Sequence, residues 1–177
     1  MTALGSKAPA FTLQDTISDR FVSLPAGKGE LATVIMFICN HCPFVLHVND
    51  ELVQLANDYA TKKINFIAIN ANDAITHPAD AADKMKEKAL QMQYPFPYLQ
   101  DETQETAKAF EAACTPDFFI YNKALELVYR GQLDDSRPGN DIPVTGKDIR
   151  HALDCLIDNQ PVPVTQRSSI GCNIKWK

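Results

Sequence analysis

Two hydrophobic periods alternate along the chain. From residue 31 to 39, LATVIMFIC is apolar at nearly every position and rich in Val, Ile and Phe. Continuous rather than alternating burial predicts a central strand covered on both faces. The period then changes. Val45, Val48, Leu52, Leu55, Ala56 and Tyr59 recur at helical spacing behind Pro43, a residue suited to a first helical position. INFIAIN, Ile64–Asn70, predicts another buried strand, and Ala82, Met85, Ala89 and Met92 predict a second helix. Asp101 with Gln104 resembles a capping box opening a short helix through Phe110. Asp117–Tyr121 and Leu125–Tyr129 predict two strands joined by the polar turn at Asn122 and Lys123. Thr145 with Asp148 reads as a further cap, ahead of a helix with Ile149, Ala152, Leu153 and Leu156 on one face.

After residue 30 the expected order is β-α-β-α-(α)-β-β-α, an α/β arrangement with a central mixed sheet flanked by helices. Residues 1–30 predict an N-terminal β extension with two weak strands, Phe11–Leu13 and Phe21–Ser23, followed by a turn at Gly27-Lys28-Gly29. Residues 159–177 carry Val162, Val164, Ile170, Ile174 and Trp176. That is too much apolar surface to leave in water, so a docked C-terminal tail is expected. No linker or repeat interrupts residues 1–177, and one domain is expected.

Composition narrows the function more than the fold. The 177 residues carry a net charge of −5 with no block of like charge. A nucleic-acid surface needs clustered Lys and Arg, so none is expected. The opening MTALGSKAPAFTL lacks the apolar stretch of a signal peptide, and the run from Leu31 to Cys39 is too short to span a bilayer. A cytoplasmic protein without membrane contact is therefore expected. Five cysteines, at 39, 42, 114, 155 and 172, do not suggest a disulfide framework in a reducing compartment.

The chemistry lies where the first central strand meets its helix, at Cys39-Asn40-His41-Cys42-Pro43-Phe44. A C-x-x-C at such a junction is a redox signal. Two intervening residues let both sulfurs meet at the first turn of a helix, where exposed N–H groups and the macrodipole stabilise an anion. That placement lowers a thiol from ~8.5 toward ~7 or below. Cys39, at the strand end, is expected to be the more exposed sulfur and the attacking thiolate, with Cys42 resolving the mixed disulfide. His41, if protonated, adds positive charge beside the thiolate; it reads equally as an exposed polar residue of the first turn. The pair is also half of a structural zinc site, but no second short-spaced pair or H-x3-5-H completes one, so no metal or cofactor is expected. Cys114-Thr115-Pro116 precedes the strand DFFIY, and a proline there marks an edge strand or an unusual turn, sometimes a cis bond.

With these residues in view, the chain resembles the thioredoxin-like redoxin group, peroxiredoxin-related (AhpC/TSA-related) proteins that carry a thioredoxin-type C-x-x-C. APAFTL, FICNHCPFV, FIAINAND, FPYLQDETQ, CTPDFFIY, LVYRGQLDDSRPGN and SIGCNIKWK carry the resemblance, in order, over nearly the whole chain. It implies a thioredoxin fold with an N-terminal extension. It also implies a cis bond between Thr115 and Pro116 facing the Cys39–Cys42 pair, and pairing of a substrate chain with the backbone beside that proline. The implied function is thiol–disulfide exchange, with a disulfide-containing protein or small thiol as substrate and a reductant such as thioredoxin or glutathione. The molecule is expected to be a monomer or weak dimer. Thiol peroxidase activity in an antioxidant role, and a non-catalytic binding module holding a partner or a soft metal such as Cu(I), are the alternatives. Three departures are visible. Ile38 stands where thioredoxins have Trp, and Thr33 where they bury an Asp. Against peroxiredoxins, the peroxide-reactive cysteine aligns with Cys42, while the Pro, Thr and Arg positions fall on Ile35, on Cys39 and near Pro116.

Other residues read two ways. Cys172 is an additional resolving thiol if the tail covers the site, or a packed apolar cysteine anchored with Ile170, Ile174 and Trp176; packing is the preferred reading. Cys114 is a third redox thiol or core packing. Asn70, Asn72 and Asp73 line the cleft or cap turns. Gly131–Asp141 is a turn network in which Arg137 pairs with a carboxylate, or a partner-binding rim.

Overall fold

The computed structural model describes residues 2–177, so Met1 of the expected extension lies outside the described residues. The elements in order are β1 (Phe11–Asp15), β2 (Phe21–Leu24), β3 (Ala32–Phe37), α1 (Pro43–Asp58), β4 (Ile64–Asn70), α2 (Ala82–Met92), β5 (Tyr98–Gln100), α3 (Glu105–Ala109), β6 (Cys114–Thr115), β7 (Asp117–Asn122), β8 (Leu127–Gly131), α4 (Lys147–Ile157) and β9 (Cys172–Asn173). A single 3-10 turn, Pro78–Asp80, precedes α2. Seven strands form one sheet in the order β2-β1-β5-β4-β3-β7-β8. The β3–β4 and β4–β5 pairs are parallel, and β3–β7 and β7–β8 are antiparallel. β6 and β9 pair separately.

β3 shows why its sequence is continuously apolar. Val34 and Met36 pack with Val45, Leu52 and Leu55 of α1 and with Met85 and Leu153 on one face. Ile35 and Phe37 face the other way, against Phe110, Phe119 and Tyr121. Both faces are covered, so neither set of alternate residues can be polar. Thr33 is the exception, and its Oγ1 accepts the Gly29 N–H at 3.0 Å in the core. Among the described residues no helix is long and apolar enough to cross a membrane.

The structure departs from expectation at several boundaries. β5 was not anticipated. Its three residues follow Pro95 and Pro97, too short a run to show a period, yet they pair with β4 and β1 and so join the N-terminal hairpin to the main sheet. The strand expected at Leu125–Tyr129 begins instead at Leu127, because Leu125 turns with φ +56° and donates its N–H to Asn122 O. Asp101 does cap α3, but across a longer gap than a capping box: its carboxylate accepts the N–H groups of Thr106 and Ala107. Thr145 does not cap α4. The Asp134 carboxylate, from the preceding loop, accepts the Thr145 and Gly146 N–H groups at 2.7 Å each.

The tail docks largely through its backbone. Asp73 and Gln132 donate their N–H groups to Lys175 O and Arg167 O, and the Lys175 N–H is held by Asn72 Oδ1. Of the expected apolar anchors only Ile174 is buried; Val164 is 79%, Ile170 57% and Trp176 43% exposed.

Candidate functional site

β3 delivers the chain to the site and α1 receives it. Ile38 still donates its N–H to Ile69 O at 3.0 Å, and the backbone then leaves the sheet through Cys39, Asn40 and His41. Cys42 is the N-cap residue of α1, with Pro43 behind it, and its carbonyl accepts the N–H groups of Val45 and Leu46 at 3.0 Å. The Thr115–Pro116 peptide is cis, and Thr115 faces both sulfurs. Its Oγ1 lies 3.4 Å from Cys39 Sγ and its carbonyl oxygen 3.2 Å from Cys42 Sγ. All five cysteines are free thiols.

Two expectations about the sulfurs need correcting. The expected difference in exposure is slight: Cys39 is 2% exposed and Cys42 0%, so neither sulfur is open to solvent. Nor do the anion-stabilising donors converge on Cys39. The neighbouring Cys39 thiol, with lesser contributions from Cys172 and the Val45 and Cys172 backbone, holds the Cys42 pKa well below the usual thiol range although burial works the other way. Cys39 is pushed the other way, first by giving its proton to Cys42, then by burial, with the Asp80 charge adding to both. The two shifts run in opposite directions, down at Cys42 and up at Cys39, so Cys42 is the more readily ionised of the pair.

A third sulfur belongs to the cluster. Cys172 Sγ lies 2.7 Å from Cys42 Sγ, and burial together with Cys42 raises its pKa to about 11. Cys114 is buried with its thiol toward Pro116 O at 3.6 Å, and burial pushes it up to about 12.

Asp80 is the residue that sequence reasoning missed. It comes from the 3-10 turn, is buried, and gathers the loop around itself. Its Oδ1 accepts the Asn40 N–H at 2.7 Å and Asn70 Nδ2 at 3.0 Å, and its Oδ2 accepts Asn72 Nδ2 at 2.9 Å. His41 Nδ1 sits 2.6 Å from Oδ2, out of line for a hydrogen bond. The His41 ring stacks on His77 with centroids 5.3 Å apart. Tyr98 Oη donates to Asn40 Oδ1 at 3.0 Å and accepts Asn70 Nδ2. Asn70 and Asn72 thus brace the site from behind, while Asp73 caps its own turn through the Ile75 N–H and Thr76. An isolated Asp after Pro78 carries no local signal of this role.

The Sγ, ring-nitrogen and carboxylate atoms of Cys39, His41 and Asp80 lie within 4.8 Å of one another, close enough for a cation. The Asp80 oxygens are already taken by three N–H donors in a hydrogen-bond network. Arg137 also differs from expectation. Its guanidinium donates to Asp134 O, Ser136 O and Gln132 Oε1, not to a carboxylate. Phe44, Pro116, Phe118, Arg137 and Ile170 line a shallow groove beside the cis proline.

The mixed sheet, the C-x-x-C at a strand-to-helix junction and the cis proline facing it define a thioredoxin fold. The chain belongs to the AhpC/TSA family, which matches residues 4–130. It is 60% identical to an uncharacterized conserved protein from Geobacillus kaustophilus, with a TM-score of 0.98 over 100% of this chain and 94% of that one. A hypothetical protein from Sinorhizobium meliloti 1021 is 43% identical, with a TM-score of 0.97 over 100% and 96%. A thioredoxin-family thiol:disulfide interchange protein from Chlorobium tepidum TLS shares the fold at 16% identity, with a TM-score of 0.65 over 92% and 100%. No curated protein matches the chain.

The charge on Cys42 has a measurable consequence. Its folded-state pKa lies below the unfolded-state value of ~8.5. The unfolded chain therefore binds a proton that the folded one does not, and this contribution to stability is full above ~8.5 and is lost as pH falls. In thermal melts of the reduced protein, the excess Tm of wild type over Cys42→Ser is expected to grow as pH rises from ~5 to ~8.5. A difference that stays flat across that range would contradict a Cys42 thiolate.

Proposed function

We propose that the protein is a thiol–disulfide oxidoreductase that exchanges the Cys39–Cys42 dithiol with a protein or small-molecule disulfide, in a reducing compartment such as the cytoplasm. One observation carries this reading: the cis Thr115–Pro116 peptide faces both sulfurs of the C-x-x-C at the mouth of α1, with Thr115 Oγ1 3.4 Å from Cys39 Sγ and the Thr115 carbonyl oxygen 3.2 Å from Cys42 Sγ.

The arrangement supports a balanced sequence. The Cys42 thiolate takes the Cys39 proton as Cys39 Sγ attacks one sulfur of the substrate disulfide. A mixed disulfide forms and the other substrate sulfur leaves as a thiolate. Cys42 then loses its proton and attacks Cys39 Sγ, releasing the second substrate thiolate and leaving Cys39–Cys42 oxidised. Asp80 fixes the loop by holding the Asn40 N–H. A reductant such as thioredoxin or glutathione closes the cycle.

With dithiothreitol as reductant, wild type is expected to reduce insulin or glutathione disulfide, and Cys39→Ser is expected to lose that turnover. Full activity in Cys39→Ser would overturn the assignment. Membership of the AhpC/TSA family and the depressed Cys42 thiol favour thiol peroxidase activity as a second reading. Hydrogen peroxide consumption separates the two. A rate no better than a free thiol's is the result expected, because Arg130, the nearest arginine in sequence to the cis-proline strand, points instead to Asp117, Phe119 and Glu111 O.

A further inference from the structure

The tail strand does something that packing alone does not require. β9 runs antiparallel to β6, with Cys172 opposite Thr115 and Asn173 opposite Cys114. β6 is the strand that leads into the cis proline, so the tail backbone occupies the open edge directly over the sulfurs. Added strands of this kind are a common mode of peptide capture, in which main-chain pairing supplies register and one side chain reaches the site. Here the side chain in register is a cysteine. Its Sγ is 2.7 Å from Cys42 Sγ, against ~2.05 Å for a bonded pair.

The approach is built into the residue before it. A Cβ on Gly171 would fall 2.1 Å from Thr115 O and 2.7 Å from its carbonyl carbon, so only glycine lets the tail lie flush on this loop. The segment is held on both sides. Upstream, Ser169 Oγ donates to Gly131 O and the Gln132 N–H to Arg167 O; downstream, Gln104 Nε2 donates to Lys175 O and Ile174 is buried. The expected packing with Ile170, Ile174 and Trp176 is partial: Cys172 packs against the core and Ile174 is buried, while Ile170 and Trp176 are exposed. What Cys172 touches is a reactive sulfur.

We propose that Cys172 is a third redox thiol of this site, with the tail acting as a tethered substrate that exchanges onto Cys42. The proposal rests on Cys39–Cys42 being the redox pair. Once a substrate disulfide has oxidised that pair, Cys172 loses its thiol proton and attacks Cys42 Sγ. The Cys42–Cys172 bond forms, the Cys39–Cys42 bond breaks, and Cys39 leaves with the electron pair and takes up a proton. Oxidation state is conserved: one disulfide replaces another. Tethering places Cys172 at a high effective concentration over Cys42, as for any linked pair. The product pins the tail over the site and frees Cys39. Attack by Cys39 on Cys42 reverses it; attack by an external thiol on Cys172 instead releases Cys42 and leaves a mixed disulfide on Cys172, which a second thiol reduces.

Trypsin places Cys39 and Cys42 in residues 29–62 and Cys172 in residues 168–175. Wild type and variants are equilibrated in glutathione buffers of graded potential, acid-quenched, alkylated, digested and read by mass spectrometry. A disulfide between these two peptides is expected in oxidised wild type, and it is expected to dominate in Cys39→Ser. In Cys42→Ser it is expected to fall by about tenfold or more, equivalent to ~30 mV or more in potential. Cys172 alkylated throughout in oxidised wild type and Cys39→Ser would overturn the proposal, as would an undiminished link in Cys42→Ser. The wild-type measurement stands even if a variant misfolds. Disulfide turnover without the link refutes the third thiol alone; the link without turnover refutes the oxidoreductase reading and leaves the Cys42–Cys172 pair.

Discussion

Cys42→Ser is expected to convert a turning-over protein into one that traps its substrate. The variant removes two things at once. It removes the base that draws the proton from Cys39, and it removes the sulfur that resolves the mixed disulfide. Cys39 then has only the Thr115 hydroxyl and the Cys42-position backbone N–H as donors, with burial and the Asp80 charge opposing its ionisation. An unassisted buried thiol is only a few per cent ionised or less at neutral pH, so attack slows. Whatever does form cannot leave. Turnover of glutathione disulfide is expected to drop by at least ~100-fold, the scale of a lost proton acceptor. Intact mass is expected to show one glutathione on Cys39 that dithiothreitol removes. Wild-type turnover in Cys42→Ser, or a protein that never carries the adduct, would refute both the base and the resolving role.

The parts of this arrangement differ in how visible they are in the sequence, and the reason is physical. β3 and α1 are legible because burial on two faces and burial on one stripe leave different periods, and Cys39 and Cys42 stand where the period changes. The C-x-x-C reports that two sulfurs meet at a helix mouth. It does not report which one collects the proton, since that depends on Thr115, Asp80 and Cys172, which lie 30 or more positions away. β5 is invisible because three residues behind two prolines have no period. Asp80 is invisible because a buried carboxylate whose partners are backbone and amide N–H groups makes no pattern with its own neighbours. The tail misleads in a more specific way. Its apolar residues suggest hydrophobic docking, whereas Val164, Ile170 and Trp176 remain exposed and backbone hydrogen bonds position Cys172.

Asp80 is the residue whose loss is expected to be felt furthest. Three buried or half-buried donors, the Asn40 N–H, Asn70 Nδ2 and Asn72 Nδ2, depend on its two oxygens. In Asp80→Ala these groups lose their acceptor in a place water does not easily reach, at ~1–3 kcal/mol each before neighbouring groups relax. A net loss of about 3 kcal/mol is a fair central figure, which for a domain of this size lowers Tm by ~6–12 °C. The chemical effect separates from the stability effect. Asp80 is a negative charge that disfavours the Cys39 thiolate. Asp80→Asn keeps most of the shape, removes that charge, and is expected to move the anion from Cys42 toward Cys39. The alkylation rate of Cys39 at neutral pH should then rise while that of Cys42 falls. A purely structural Asp80 would lower Tm in both variants and leave the partition between the two sulfurs as it is in wild type. Unchanged melting in Asp80→Ala would instead mean that the loop through Asn40 and His41 is held by α1 and Thr115 alone.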